Sequence, residues 1–172
     1  MNIIFESERL LFRLMGQADL YALYEMWGDA DTMRYCGGAT SIERIKKVIE
    51  FDREKYAQYG NTIFAIVEKS SARLAGICGG QFDKEDPLHV EAILHLSKLF
   101  WGKGYGTEAL GAYVCWLRDN KKARLVFASA HPDNAASINM ISKCGFIQKG
   151  YKQFEDTGFV DEPYFELEIR QQ

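Results

Sequence analysis

The stretch His89–Leu117 reads HVEAILHLSKLFWGKGYGTEALGAYVCWL, and its interpretation decides the fold. Val90 to Ser97 has the composition of a strand. From Tyr105 onward, Tyr105, Ala109, Leu110, Tyr113, Val114 and Leu117 recur at helical spacing. Between the two lies WGKGYG, Trp101 to Gly106. Glycine tolerates positive φ and leaves the backbone bare, so Gly102, Gly104 and Gly106 let a ligand approach the main chain. The first N–H groups of a following helix lack intrahelical partners, and its dipole end is positive; the loop is therefore a seat for an anion. A phosphate-bearing ligand fits that chemistry. A tight strand-to-helix connection, with glycines serving packing alone, explains the same spacing, so the rest of the chain must discriminate.

Upstream, Arg9–Leu14 (RLLFRL) has the length and apolar content of a strand. Leu20, Leu23, Tyr24 and Trp27 form one stripe of a helix over Ala18–Trp27. A second helix starts near Thr40, where Thr40 and Glu43 make a capping-box pair and Ile42, Ile45, Ile49 and Tyr56 supply the apolar face. Thr62–Glu68 and Leu74–Phe82 read as a hairpin, with Gly79 and Gly80 weakening its second strand or marking a bulge. KEDP, residues 84–87, turns the chain into the central stretch. Downstream come a strand over Leu125–Ala130, a helix after HPDN that ends at Lys143 with Gly145 as its stop, and closing strands over Phe146–Phe154 and Tyr164–Arg170. The sum is an α+β fold: a mixed, mostly antiparallel sheet of six or seven strands flanked by about four helices, in a single domain spanning residues 1–172.

With 172 residues, 47% of them hydrophobic and 26% charged, the chain is large enough for one substantial core and short for two. A net charge of −3 lacks the basic surplus of a general nucleic-acid binder, so any anion site must be local. Cys36, Cys78, Cys115 and Cys144 are widely spaced, with no CxxC pair and no adjoining His cluster; this is the pattern of reduced thiols, without a metal site. The N-terminal segment carries early charges and no apolar run of signal or membrane-spanning length, which predicts a cytoplasmic protein that does not engage membranes. Two rival glycine motifs fail: no GxxxxGK followed by Ser or Thr occurs, and GKGYG is not the GxGxxG of dinucleotide folds.

Three ordered segments, SERLLFRL, VEAILHLSKLFWGKGYGTEAL and HPDNAASINMISKCGF, together resemble the GNAT superfamily of N-acetyltransferases, in particular its branch of ribosomal-protein N-terminal acetyltransferases and their relatives. The resemblance spans nearly the whole chain. It implies acetyl-CoA as cosubstrate, with backbone N–H groups from Gly102 to Gly106 holding the pyrophosphate. Trp101 stands where the wider family begins this loop with Arg or Gln, and Lys103, Gly104, Tyr105 and Gly106 follow in register. Lys103 adds a point charge or is a solvated loop lysine.

Acetyl transfer to an amine needs a neutral amine, a stabilised oxyanion and a proton for the departing thiolate. The resemblance assigns the base to Glu91, ten positions before Trp101. His95 shares its strand face and is the reserve candidate. Asn134 and Ser137 match the family's NxxS, placing the amide on the coenzyme and the hydroxyl near its sulfur, which makes Ser137 the candidate acid. Asn134 also suits a helix cap. Asn139 lies one turn further on, and the oxyanion would meet a strand N–H near Leu96. Ile141 departs from the tyrosine that many members use as acid, and Ile93 and Leu94 replace a frequent Gly-Tyr pair.

Asp29 and Asp31 in one loop, and Glu155, Asp156, Asp161 and Glu162 in another, would steer a cationic amine inward. The expected acceptor is a primary amine: a peptide or protein N-terminus, including a basic one, or a small amine, acetylated directly in a ternary complex. A non-catalytic acyl-CoA-binding module and a small-molecule (polyamine or antibiotic) acetyltransferase are the alternatives. A monomer and a homodimer both stay open.

Overall fold

The computed structural model describes residues 2–83 and 85–170, so Lys84 of the KEDP turn lies outside the described residues. Eight strands form one sheet: β1 (Ile3–Glu6), β2 (Leu10–Leu14), β3 (Ile63–Glu68), β4 (Leu74–Phe82), β5 (His89–Leu96), β6 (Leu125–Ser129), β7 (Ile147–Lys152) and β8 (Glu162–Glu168). Their spatial order is β1-β2-β3-β4-β5-β6-β8-β7. Every described pairing is antiparallel except β5 with β6. The helices are α1 (Leu20–Trp27), α2 (Ile42–Tyr59), α3 (Tyr105–Asp119) and α4 (Ala135–Lys143).

Side-chain alternation divides β3 between two cores. Phe64 and Ile66 point to the layer of α3 and α4, where Leu110, Tyr113, Leu117 and Ile141 are buried. Ile63 and Ala65 point to the layer of α1 and α2, with Leu23, Ile45 and Ile49. The parallel β5–α3–β6 crossover is the unit read from the central stretch.

Two details differ from expectation. The sheet has eight strands because β1 was not anticipated: IIFE is four residues at a sheet edge, too short for periodicity to register. The cap of α2 is Ser41, whose hydroxyl accepts from the Arg44 N–H, one position after the expected Thr40. Gly79 and Gly80 reflect close approach: a Cβ on Gly79 would lie 2.2 Å from the Thr62 carbonyl oxygen. Among the described residues no helix is long and apolar enough to cross a membrane.

Candidate active site

The site begins where the parallel pairing stops. β5 and β6 are in register at His89↔Leu125, Val90↔Val126 and Glu91↔Phe127. Past Glu91, β5 continues to Leu96 against β4 alone, and β6 continues to Ser129 against β8. The Leu88 carbonyl accepts from the N–H groups of Arg124 and Leu125 on the β6 side. Backbone groups alternate along a strand, so the N–H groups of Leu94 and Leu96 face that same side, where β6 has departed. A gap thus opens in the middle of the sheet, forming a cavity of about 310 Å³.

The gap joins the two layers. On the α4 side its lining includes Asn134, Ser137, Met140 and Ile141; on the other it includes Tyr35, Glu91, His95 and Glu162. Register explains the second set. Val126 and Ala128 belong to the α3/α4 core, so Phe127 and Ser129 face away from it. Glu91 pairs with Phe127, and Ser129 with Tyr164, two residues from Glu162, which puts both carboxylates on the α1/α2 face.

Of the predicted residues, Glu91, Asn134 and Ser137 line the cavity, whereas Leu96, the loop 101–106 and Asn139 do not. Asn139 is on the exposed side of α4. Asn134 caps α4, its side-chain oxygen accepting from the Ser137 N–H at 3.2 Å. The Ser137 hydroxyl has no hydrogen bond among the described residues.

The loop has the anticipated backbone. Gly102 and Gly104 have φ of 71° and 79°, and Gly104 is the N-cap of α3 without any side-chain cap. The first N–H groups of α3 are therefore left for solvent or a ligand. Gly106 brings α3 close to α4, since a Cβ there would sit 2.7 Å from the Met140 sulfur. The Trp101 indole N–H donates to the Leu96 carbonyl at 2.7 Å, tying the loop to the end of β5. The Lys103 ammonium lies 5.7 Å from the centre of the Phe100 ring.

His95 is held in its neutral form. Its Nδ1 accepts from the Trp27 indole N–H at 2.9 Å, and burial pushes the ring down to about 4. With Nδ1 an acceptor, the neutral ring carries its proton on Nε2 and is a donor there.

The acidic loops divide. Asp29 and Asp31 both pair with the Lys98 ammonium, at 2.9 and 3.3 Å, so their charge is answered locally. Asp161 accepts from Gln153, and the side chain of Asp156 lies outside the described residues. Glu162 is the one of these that reaches the cavity: it is 5% exposed, and its Oε1 has no hydrogen-bond partner among the described residues. The sequence places Glu162 among surface acids beside a turn. Only the register of β8, which the sequence reading began at Tyr164, turns it inward.

The profile of the Acetyltransferase (GNAT) domain family matches residues 9–147. An uncharacterized N-acetyltransferase, p20, of Bacillus licheniformis is 23% identical over 146 residues, covering 84% of this chain and 82% of that protein. A GNAT-family acetyltransferase from Bacillus anthracis superposes with a TM-score of 0.84 at 24% identity, covering 98% of this chain and 99% of the other. A Salmonella typhimurium acetyltransferase, described as modifying the N-terminal serine of ribosomal protein L7/L12, superposes with a TM-score of 0.84 at 18% identity, covering 98% and 100%. A family match over most of the chain and a fold shared end to end agree with the split sheet and its glycine loop: the chain belongs to the GNAT acetyltransferase family and is an acetyl-CoA-dependent acyltransferase.

Proposed function

We propose that this chain, as one domain spanning residues 1–172, acetylates a cationic primary amine by direct transfer, with the two substrates meeting through the gap between β5 and β6. The observation that carries this reading is the cavity itself, with two carboxylates on one face of the sheet and the Asn134–Ser137 pair on the other. Acetyl-CoA supplies an activated acyl carbon. The uncapped start of α3, with the loop 102–106, offers N–H donors and a positive dipole end to the pyrophosphate. The backbone N–H of Leu94, which lines the cavity, suits the thioester carbonyl as charge develops on its oxygen, and that of Leu96 lies beyond it on the same strand edge.

Glu91 takes the proton from the amine, directly or through a water, leaving a lone pair free to attack. Glu162 provides the counter-ion that draws the ammonium in, because its unengaged carboxylate oxygen gains a partner when a cation arrives. Ser137 gives a proton to the departing thiolate; its hydroxyl is uncommitted on the α4 side of the gap. The acceptor is an N-terminal amino group of a peptide or a small cationic amine. The described function of the Salmonella structural neighbour supports the first, and the two carboxylates are compatible with both.

The test is release of free thiol from acetyl-CoA across peptides, polyamines, amino acids and aminoglycosides, with Glu91→Gln, Glu162→Gln and Ser137→Ala. Glu91→Gln is expected to lower kcat by about 100-fold with little change in the amine KM, the scale of a lost general base. Glu162→Gln is expected to raise the amine KM by about tenfold or more. The reverse pattern would exchange the two roles, and tight coenzyme binding with no release to any amine would sink the enzymatic reading.

A further inference from the structure

SERL, residues 7–10, is the part of the sequence that matches the family opening without having been given a task. In the structure, Ser7 and Arg9 reach α3, far along the chain. The Ser7 hydroxyl and the Arg9 backbone N–H both donate to Glu108 Oε1 at 2.7 Å, and Arg9 Nε donates to Glu108 Oε2 at 2.6 Å. The other arm of the guanidinium, Nη1, donates to the Lys103 carbonyl at 2.9 Å, inside the glycine loop. The guanidinium carbon stands 4.2 Å from the centre of the Tyr105 ring, whose hydroxyl donates to Glu68.

We propose that Arg9 is a positioning residue for the coenzyme: it fixes the peptide between Lys103 and Gly104 so that the loop presents its N–H groups to the pyrophosphate. In a trans peptide the carbonyl and the following N–H point to opposite sides, so holding the Lys103 carbonyl against Arg9 turns the Gly104 N–H away from it, toward the open side of the loop. A glycine at φ 79° has wide backbone freedom, and an anion seat built from such residues costs entropy to assemble unless something holds it beforehand.

Arg9 also answers a charge beside the seat. Glu108 lies in the first turn of α3, where an unanswered carboxylate would repel a phosphate. Burial opposes its ionisation, yet the Ser7 and Arg9 hydrogen bonds outweigh burial and hold its carboxyl below the usual range. Arg9 and Ser7 thereby neutralise the anion beside the seat and spend its lone pairs. A lysine at position 9 could answer the charge but could not span Glu108 and the Lys103 carbonyl together, because the fork of a guanidinium is what reaches both.

This inference rests on the loop being the coenzyme's pyrophosphate site, and the experiment separates the two. Calorimetric titration with CoA is compared with turnover of S-acetylpantetheine, which carries the thioester but no pyrophosphate, using any amine that the acceptor panel shows to be active. Arg9→Ala is expected to weaken CoA about tenfold to 100-fold and to leave kcat/KM for S-acetylpantetheine within about twofold. Arg9→Lys, which keeps the ion pair with Glu108, is expected to fold as the parent does and still lose about fivefold or more in CoA affinity. Added salt should relieve only the part of the Arg9→Ala penalty that comes from the unanswered Glu108 and should leave the Arg9→Lys penalty unchanged, since lysine keeps the charge; an Arg9→Lys penalty that salt abolishes would mean direct pairing with phosphate and would overturn positioning. Full CoA affinity in both variants, or equal losses with CoA and S-acetylpantetheine, would overturn the role of Arg9. A parent that gains nothing from the pyrophosphate, with CoA bound no better than pantetheine, would overturn the reading of the loop itself.

Discussion

Replacing His95 with asparagine should tilt the dependence of stability on pH, and the size of the tilt follows from where the ring sits. Burial lowers its pKa from 6.5 to about 4 in the folded chain. A depressed folded value means that the unfolded chain binds the extra proton, so stability is full above 6.5 and is lost as pH falls through about 4. At about 1.4 kcal/mol for each pH unit between the two values, the whole effect is about 3 kcal/mol. Asp52 works in the opposite sense. The residue is 3% exposed; burial raises its carboxyl from 3.8 to about 6, against the opposing hydrogen bonds from Thr62 and Ile63. A raised folded value gives stability present below 3.8 and lost as pH rises through about 6, again about 3 kcal/mol in size. The two slopes largely cancel between pH 4 and 6 in the parent. Denaturant titrations followed by tryptophan fluorescence across that interval should show His95→Asn losing stability as pH rises and Asp52→Asn gaining it. Loss of the Trp27 hydrogen bond adds an offset to the first variant but no slope. A His95→Asn curve that runs parallel to the parent's would refute the argument that His95 is held neutral.

Gly79→Ala should destabilise the chain by about 3 kcal/mol in thermal or denaturant melts: the added Cβ would meet backbone atoms of Thr62 and Ile63 at 2.2 and 2.6 Å, which cannot rotate away. A melt within experimental error of the parent would show that β3 and β4 can part there without cost. Among the four cysteines, Cys115 is exposed while Cys78 is fully buried, with burial pushing its thiol far up. Thiol labelling of the native protein should therefore modify Cys115 first and Cys78 only on unfolding, and early labelling of Cys78 would contradict the closed α3 core.

Much of the fold was legible because its elements announce themselves by period or by a stop. The helical stripe from Tyr105 to Leu117 and the αL glycine at position 145, with φ 86°, are sequence-local signals. The edge strand IIFE escaped because four residues pair with β2 only through tertiary context. The site divides in the same way. Gly102, Gly104 and Asn134 are recognisable because backbone conformation and capping are decided within a few residues. Glu162 is legible only as one of several loop acids that would steer a cation, since its burial depends on β8 pairing with β6 more than thirty positions upstream in the chain. The pairing of His95 with Trp27 is also non-local; it fixes the tautomer, while burial keeps the ring neutral.

The anion seat and the gap are consequences of one connection. A parallel partner for β5 can be reached only by a crossover, and α3 is that crossover, so its uncapped N-terminus lies at the end of β5 by topology. Among the described residues no ladder pair joins β5 and β6 after Glu91↔Phe127, while β5 keeps β4 on one edge and β6 keeps β8 on the other. The donor seat and the opening through which an acceptor is reached therefore come as a pair. A chain that keeps this crossover but closes the gap, for instance by Ala128→Phe on β6, should still bind CoA at the loop while losing transfer to every amine. Loss of CoA binding in step with transfer would mean that seat and gap are one site, with no division between the two faces of the sheet.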